Sequence, residues 1–144
     1  MAMSEKRLEE LLYQNGVYID TTTGSSMWPM LRHHRDAVTV VPLQGEVKPY
    51  DVVLFRRKER LVLHRVIKRV SNRYFIRGDH CRNGEWVEKS QLLGILSAFT
   101  RKGKFYTVKS PGYAVYSRLI VWLHPILCLA ARGRNWWKKR KNPC

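Results

Sequence analysis

Residues 60–70 read RLVLHRVIKRV, and the periodicity of this stretch decides the fold. Val62, His64, Val66 and Lys68 alternate with Leu61, Leu63, Arg65 and Ile67. A period of two places these sets on opposite faces of one long strand. His64 is the odd member of its face, because an imidazole among apolar side chains needs a polar partner.

The flanking sequence repeats the strand pattern. Residues 51–56, DVVLFR, read as a short buried strand after a turn at 45–50. Residues 18–23 and 37–41 are further strands, the second stopped by Pro42. Downstream, residues 74–77 form a strand ending in Gly78-Asp79, residues 80–84 a loop, and residues 94–100 and 105–108 a hairpin. Many short strands separated by turn residues predict a mainly β domain whose sheet curls towards a barrel. A short amphipathic helix precedes it at 4–15, capped by Ser4, carrying Leu8, Leu11 and Leu12, and ended by Gly16. The expected organisation is an N-terminal helix at 1–16, a β domain at 17–112, and a hydrophobic helix with a basic tail at 113–144.

Composition narrows the class. With 144 residues, 44% hydrophobic and 26% charged, the chain can build one packed domain, and wholesale disorder is not expected. The net charge of +16 is lopsided. Residues 1–88 hold all 11 acids against 15 Lys and Arg, whereas residues 89–144 hold 12 Lys and Arg and no acid. A basic half of this kind implies an anionic partner, either nucleic acid or a membrane surface. Cys81, Cys128 and Cys144 are odd in number and widely spaced, which gives neither a disulfide framework nor a metal knuckle and suggests a reducing compartment. No metal or other cofactor is expected.

Residues 21–31, TTTGSSMWPML, carry the candidate chemistry. Three threonines lead into a flexible Gly24-Ser25-Ser26, and Met27, Trp28 and Pro29 stop regular structure, so a strand ends by presenting hydroxyls on a turn. A serine hydroxyl is a weak nucleophile until a base takes its proton. His64 is the best-placed base, and Asp79, after a glycine at a strand end, is placed to orient its ring. Taken singly, these are equally a polar loop, a satisfied core histidine and a turn aspartate.

In this order and at these spacings the sequence resembles the type I signal peptidase-like serine peptidases, whose wider clan includes the LexA-type self-cleaving repressors. Ser26-Met27-Trp28-Pro29 is similar to the Ser-Met-x-Pro nucleophile box, and residues 50–55, YDVVLF, to the Gly-Asp-hydrophobic strand. Leu63-His64-Arg65-Val66 is similar to the strand bearing the general base, and Gly78-Asp79 to the Gly-Asp that closes the site. The likeness covers about residues 20–100. It implies a signal peptidase/LexA-like sheet and an endopeptidase acting on signal or leader peptides. Ser26 would be the nucleophile, His64 the general base and Asp79 the orienting acid, with Gly24, Ser25 and Met27 beside the oxyanion. The base is histidine, as in the archaeal and endoplasmic-reticulum type enzymes, where bacterial signal peptidases and the repressors use lysine. Lys68 lies ~13 Å further along the strand at about 3.3 Å per residue, too far to substitute. Gly24-Ser25-Ser26-Met27 departs from the usual Ser-Gly-Ser-Met, so the oxyanion leans on the Ser26 N–H. Tyr50 and Arg35 stand where glycine is usual, and the N-terminal membrane anchor of typical signal peptidases is not expected. A histidine base starts near pKa 6.5, so hydrolysis is expected to fall in acid with a transition near neutrality.

From residue 113 the chain turns apolar, reading YAVYSRLIVWLHPILCLAA, and it ends in a tail with Trp136, Trp137 and six Lys and Arg. The uninterrupted run, 119–131, has 13 residues and includes His124 and Pro125. That is short of the ~20 a spanning helix needs, so an interfacial or re-entrant helix kinked near Pro125 is expected. The expected partners are thus a peptide or preprotein substrate and a membrane surface, reached through the C-terminal segment. With about 118 residues ahead of it and no export signal, the domain is expected on the cytoplasmic face. The competing reading is a catalytically inactive basic β-domain that binds nucleic acid through its cationic half and Trp136-Trp137. Such a binder has no use for Ser26, His64 and Asp79 in this order, which ranks it second.

Overall fold

The computed structural model describes residues 10, 12, 14, 18–21 and 24–134. Its strands are β1 (Tyr18–Thr21), β2 (Ala37–Pro42), β3 (Val52–Arg57), β4 (Arg60–Val70), β5 (Arg73–Arg77), β6 (Glu85–Glu88), β7 (Leu92–Arg101) and β8 (Lys104–Thr107). A single 3₁₀ turn, Lys89–Gln91, precedes β7, and one long helix, α1 (Pro111–Arg134), follows β8. The protein is mainly β, as its period-two pattern predicts. Of the expected N-terminal helix, Glu10, Leu12 and Gln14 are helical and Leu12 is buried in the core; the rest lies outside the described residues.

The sheet is antiparallel throughout, in the order β1-β2-β7-β3-β4-β5-β6. The long β7 has β2 on one side and is shared on the other, with β3 along its first half and β8 along its second. β4 is the long strand at 60–70, and its hairpin with β3 puts His64 opposite Val53 and Arg65 opposite Val52. The β7–β8 hairpin closes on Lys102 and Gly103, both at positive φ (51° and 76°), the geometry a two-residue type I′ turn requires.

Two apolar clusters form, as strands covered on both faces demand. One joins Met27, Met30 and Leu31 of the 21–31 stretch to Val52, Leu54 and Leu96, with Tyr113 and Tyr116 of α1 packed against it. The other gathers Val53, Phe55, Val66, Tyr74, Ile76 and Val87. At the middle of β4, His64, Arg65 and Val66 are all buried.

The C-terminal helix departs from expectation. It runs unbroken for 24 residues with Pro125 inside it, not as a 13-residue segment. It begins at Pro111, two residues before the expected start. Ser110 Oγ accepts the Tyr113 N–H at 3.3 Å and Pro111 takes the first helical position, where a missing N–H costs nothing. The stretch Pro111–Ala130 is long and apolar enough to cross a membrane, and 17% of it is buried.

Candidate active site

Ser26 sits on a tight turn after β1. Trp28 N–H donates to Ser25 C=O at 3.1 Å and Leu31 N–H to Met27 C=O at 3.0 Å, which coils residues 25–31. Gly24 enters at φ 85°, and its N–H donates to His33 Nδ1 at 2.6 Å. The Trp28-Pro29 peptide is cis. Ser25 is exposed, Ser26 half-buried and Met27 buried, so the turn offers hydroxyls outward while Met27 anchors it in the core.

The loop after β5 fixes the back of this turn. His80 N–H donates to Ser26 C=O at 2.8 Å, and Cys81 N–H to Gly78 C=O at 3.0 Å. A Cβ built on Gly78 would lie 2.6 Å from Ser26 C=O, 2.6 Å from Cys81 Sγ and 3.0 Å from His64 Nε2. Glycine is required there because the Ser26 turn, the loop and the imidazole close on one point. Ser26 and His64, 38 positions apart in sequence, meet at Gly78. Trp28 covers the rim, edge-on to His80 with ring centroids 5.4 Å apart.

His64 is 3% exposed, between Phe55 (ring centroids 5.9 Å) and the 78–81 loop. Its Nε2 faces Cys81 Sγ at 4.0 Å, and its Nδ1 is buried without a hydrogen-bond partner. Burial, aided by the positive charge of Arg57, pushes its pKa down to about 4. The ring is therefore neutral at physiological pH, as a general base must be. Among the described residues no hydrogen bond joins Ser26 Oγ to His64, and none is made by the Ser26 N–H.

Asp79 is near this point in the chain but turned to another task. Its Oδ1 accepts Arg65 Nε at 2.7 Å and its Oδ2 accepts Arg65 NH2 at 2.8 Å, with Tyr116 O–H at 3.4 Å. Arg65 NH1 donates to Tyr50 C=O at 3.0 Å and to Tyr113 O–H at 3.2 Å. The expected Asp79–His64 contact is thus replaced by a buried ion pair that satisfies a guanidinium with no exposed surface. Alternation explains this, since Arg65 points to the opposite face of β4 from His64.

Four groups escaped sequence reading: Arg65, Tyr113, Tyr116 and His124. His124 Nε2–H donates to Cys81 C=O at 2.6 Å, which bolts α1 onto the 78–81 loop. The signal for Arg65 was its place in a run buried on both sides, where a cation demands a carboxylate. Cys81 is disulfide-bonded and Cys128 is a free thiol, so the cysteines do not support the inference of a reducing compartment. Lys68 is exposed and lies over Trp86, away from the site. Among the described residues no three His, Cys, Asp or Glu side chains converge as a metal site would require. No protein-family model matches the chain, and no curated protein matches it in sequence.

Proposed function

We propose that the chain is a serine endopeptidase of the type I signal peptidase-like kind, with a Ser26–His64 dyad cleaving signal or leader peptides. The observation that carries this reading is the convergence of the Ser26 carbonyl and His64 Nε2 on Gly78. In the reaction, Ser26 Oγ attacks the scissile carbonyl carbon as its proton passes to His64 Nε2. The tetrahedral oxyanion is held by the Ser26 N–H. Collapse expels the amine, which takes the proton from His64, and water activated by the same ring releases the acyl group.

The substrate would bind extended. β1 is an edge strand, paired with β2 alone among the described residues, and it leads directly into the Ser26 turn. A peptide adding to that edge would pass the serine, with specificity set by pockets for alternate side chains. Tyr50 supports the resemblance from a different side. It stands where the related enzymes have glycine and holds φ 76°, a glycine-favouring conformation. We further assign α1 as the element that brings the domain to a membrane, since it exposes Val115, Leu119, Trp122, Ile126 and Leu129.

The test is mass spectrometry of a peptide library incubated with wild type, Ser26→Ala and His64→Ala. Cleavage after small side chains, absent in both variants, is expected. Undiminished cleavage by Ser26→Ala sinks the assignment.

A further inference from the structure

Helix α1 has two faces of opposite character. Tyr113, Ser117, Ile120 and His124 form the inner face, buried or half-buried against the sheet and the 78–81 loop. Val115, Leu119, Trp122, Ile126 and Leu129, spaced four, three, four and three, form an outer stripe 47–78% exposed. No acid occurs after Glu88, and exposed Lys104, Lys109 and Arg118 lie on or near the helix in sequence. An apolar stripe on a segment whose own charges are all cationic matches a bilayer with anionic headgroups.

Length and docking together decide the orientation. From Tyr113 to His124 the inner face is committed to the protein over ~17 Å, at 1.5 Å per residue, of the ~30 Å a crossing needs. Its hydrogen bonds end on Arg65, Asp79 and the Cys81 carbonyl. A crossing α1 docked in this way would draw the Arg65–Asp79 pair and the 78–81 loop into hydrocarbon, where unsatisfied backbone and charge are excluded.

We propose that α1 lies flat on an anionic bilayer, immersing the Val115–Leu119–Trp122–Ile126–Leu129 stripe, while its inner face, through His124, positions the 78–81 loop against Ser26. This rests on α1 being the membrane-facing element, and not on peptide cleavage. His124 is a positioning residue. It holds the Cys81 carbonyl, and the same loop holds the Ser26 carbonyl through the His80 N–H. Lipid docking therefore steadies the nucleophile turn.

Two measurements on the full chain decide it, neither needing activity. The first places an environment-sensitive unnatural fluorophore at position 115, 122 or 129 and adds vesicles of phosphatidylglycerol and phosphatidylcholine brominated at defined acyl depths. Flotation at low salt with the same shallow depth at all three positions is expected. A depth that runs through the bilayer centre from 115 to 129 means a spanning helix and overturns the proposal. So does absence of flotation, and so does a lipid-free dimer that already shields the three positions. The second follows amide exchange at His80. His124→Ala should speed it roughly fivefold, the loss of about one hydrogen bond. His124→Gln, which can still donate to the carbonyl, should restore it, and vesicles should slow exchange in the wild type. Wild-type exchange in His124→Ala, or no response to vesicles, removes the coupling to Ser26.

Discussion

Arg65 and Asp79 form a two-point ion pair, Nε to Oδ1 at 2.7 Å and NH2 to Oδ2 at 2.8 Å, on the side of β4 opposite His64. The arginine has no exposed surface and the aspartate side chain 3%. The pair, with the Tyr50 carbonyl and the Tyr113 and Tyr116 hydroxyls around it, ties β4 to the loop after β5 and to α1. It holds the site together from behind.

Asp79→Asn should accordingly act on stability first. Removing one charge of a buried pair leaves the other uncompensated, at a cost of roughly 3–5 kcal/mol. In a domain of this size that lowers the melting temperature by on the order of 10 °C. Replacing both residues by leucine should cost much less than either single change, because the charge is removed with its counter-charge. Thermal melts of the three variants check this. A single variant that melts with the wild type would show that the pair is not a structural tie.

Gly78→Ala should harm both fold and site. The added methyl meets Ser26 C=O and Cys81 Sγ at 2.6 Å, and a backbone carbonyl cannot rotate out of the way. Overpacking of this kind costs ~1–3 kcal/mol. Relieving it pushes the Ser26 turn from His64, so cleavage should fall ~100-fold, in keeping with the sensitivity of catalysis to ~1 Å misplacement. Denaturant melts with turnover at saturating substrate measure the two effects separately. An alanine variant with wild-type turnover would show that the approach at Gly78 does not set the reacting geometry.

The strands were legible because period-two alternation and turn residues are local signals. β4 was read at its observed bounds, and β2, β3 and β5 within a residue. β6 was missed because Glu85-Trp86-Val87-Glu88 has one buried residue and takes its strand character from pairing with β5. The full length of α1 was obscured by His124 and Pro125, which break the apolar run in sequence; in the fold His124 is spent on a buried carbonyl. Sequence order and resemblance paired Ser26 with His64, and in the fold the Ser26 carbonyl and His64 Nε2 both approach Gly78. The partner of Asp79 was not anticipated, because alternation separates His64 and Arg65 by face yet cannot say which of the two the 78–81 loop will reach.

Tyr50→Gly tests the backbone. A non-glycine residue at φ 76° carries ~1–2 kcal/mol of strain, which glycine removes. Glycine also gives up ~0.5–1 kcal/mol to the unfolded chain and loses the Arg118 guanidinium stacked 5.0 Å from the ring. The terms nearly cancel, so the variant should match wild type within about 1 kcal/mol. Tyr50→Val, β-branched in the same conformation, should be clearly less stable. Equal stability for glycine and valine would mean that the conformation is not enforced.

The last prediction concerns pH. Burial and, second, the charge of Arg57 hold His64 near pKa 4 in the folded chain, against about 6.5 unfolded. Between these values the unfolded chain binds the extra proton, so stability rises with pH across the window. The native advantage of a neutral His64 is fully present above about 6.5 and is lost as pH falls towards 4. At 1.36 kcal/mol per pKa unit the loss is ~3 kcal/mol. The wild type should weaken relative to His64→Gln by that amount from pH 7 to pH 4, as read by parallel denaturant melts. The same depression moves the acid limb of catalysis. With free-enzyme proton binding near pH 4, kcat/KM should hold well below neutrality, not fall near pH 6.5 as an ordinary histidine would dictate. A transition at 6.5 in kcat/KM, with no divergence between the two melts, would place His64 in contact with water and remove the buried base from the mechanism.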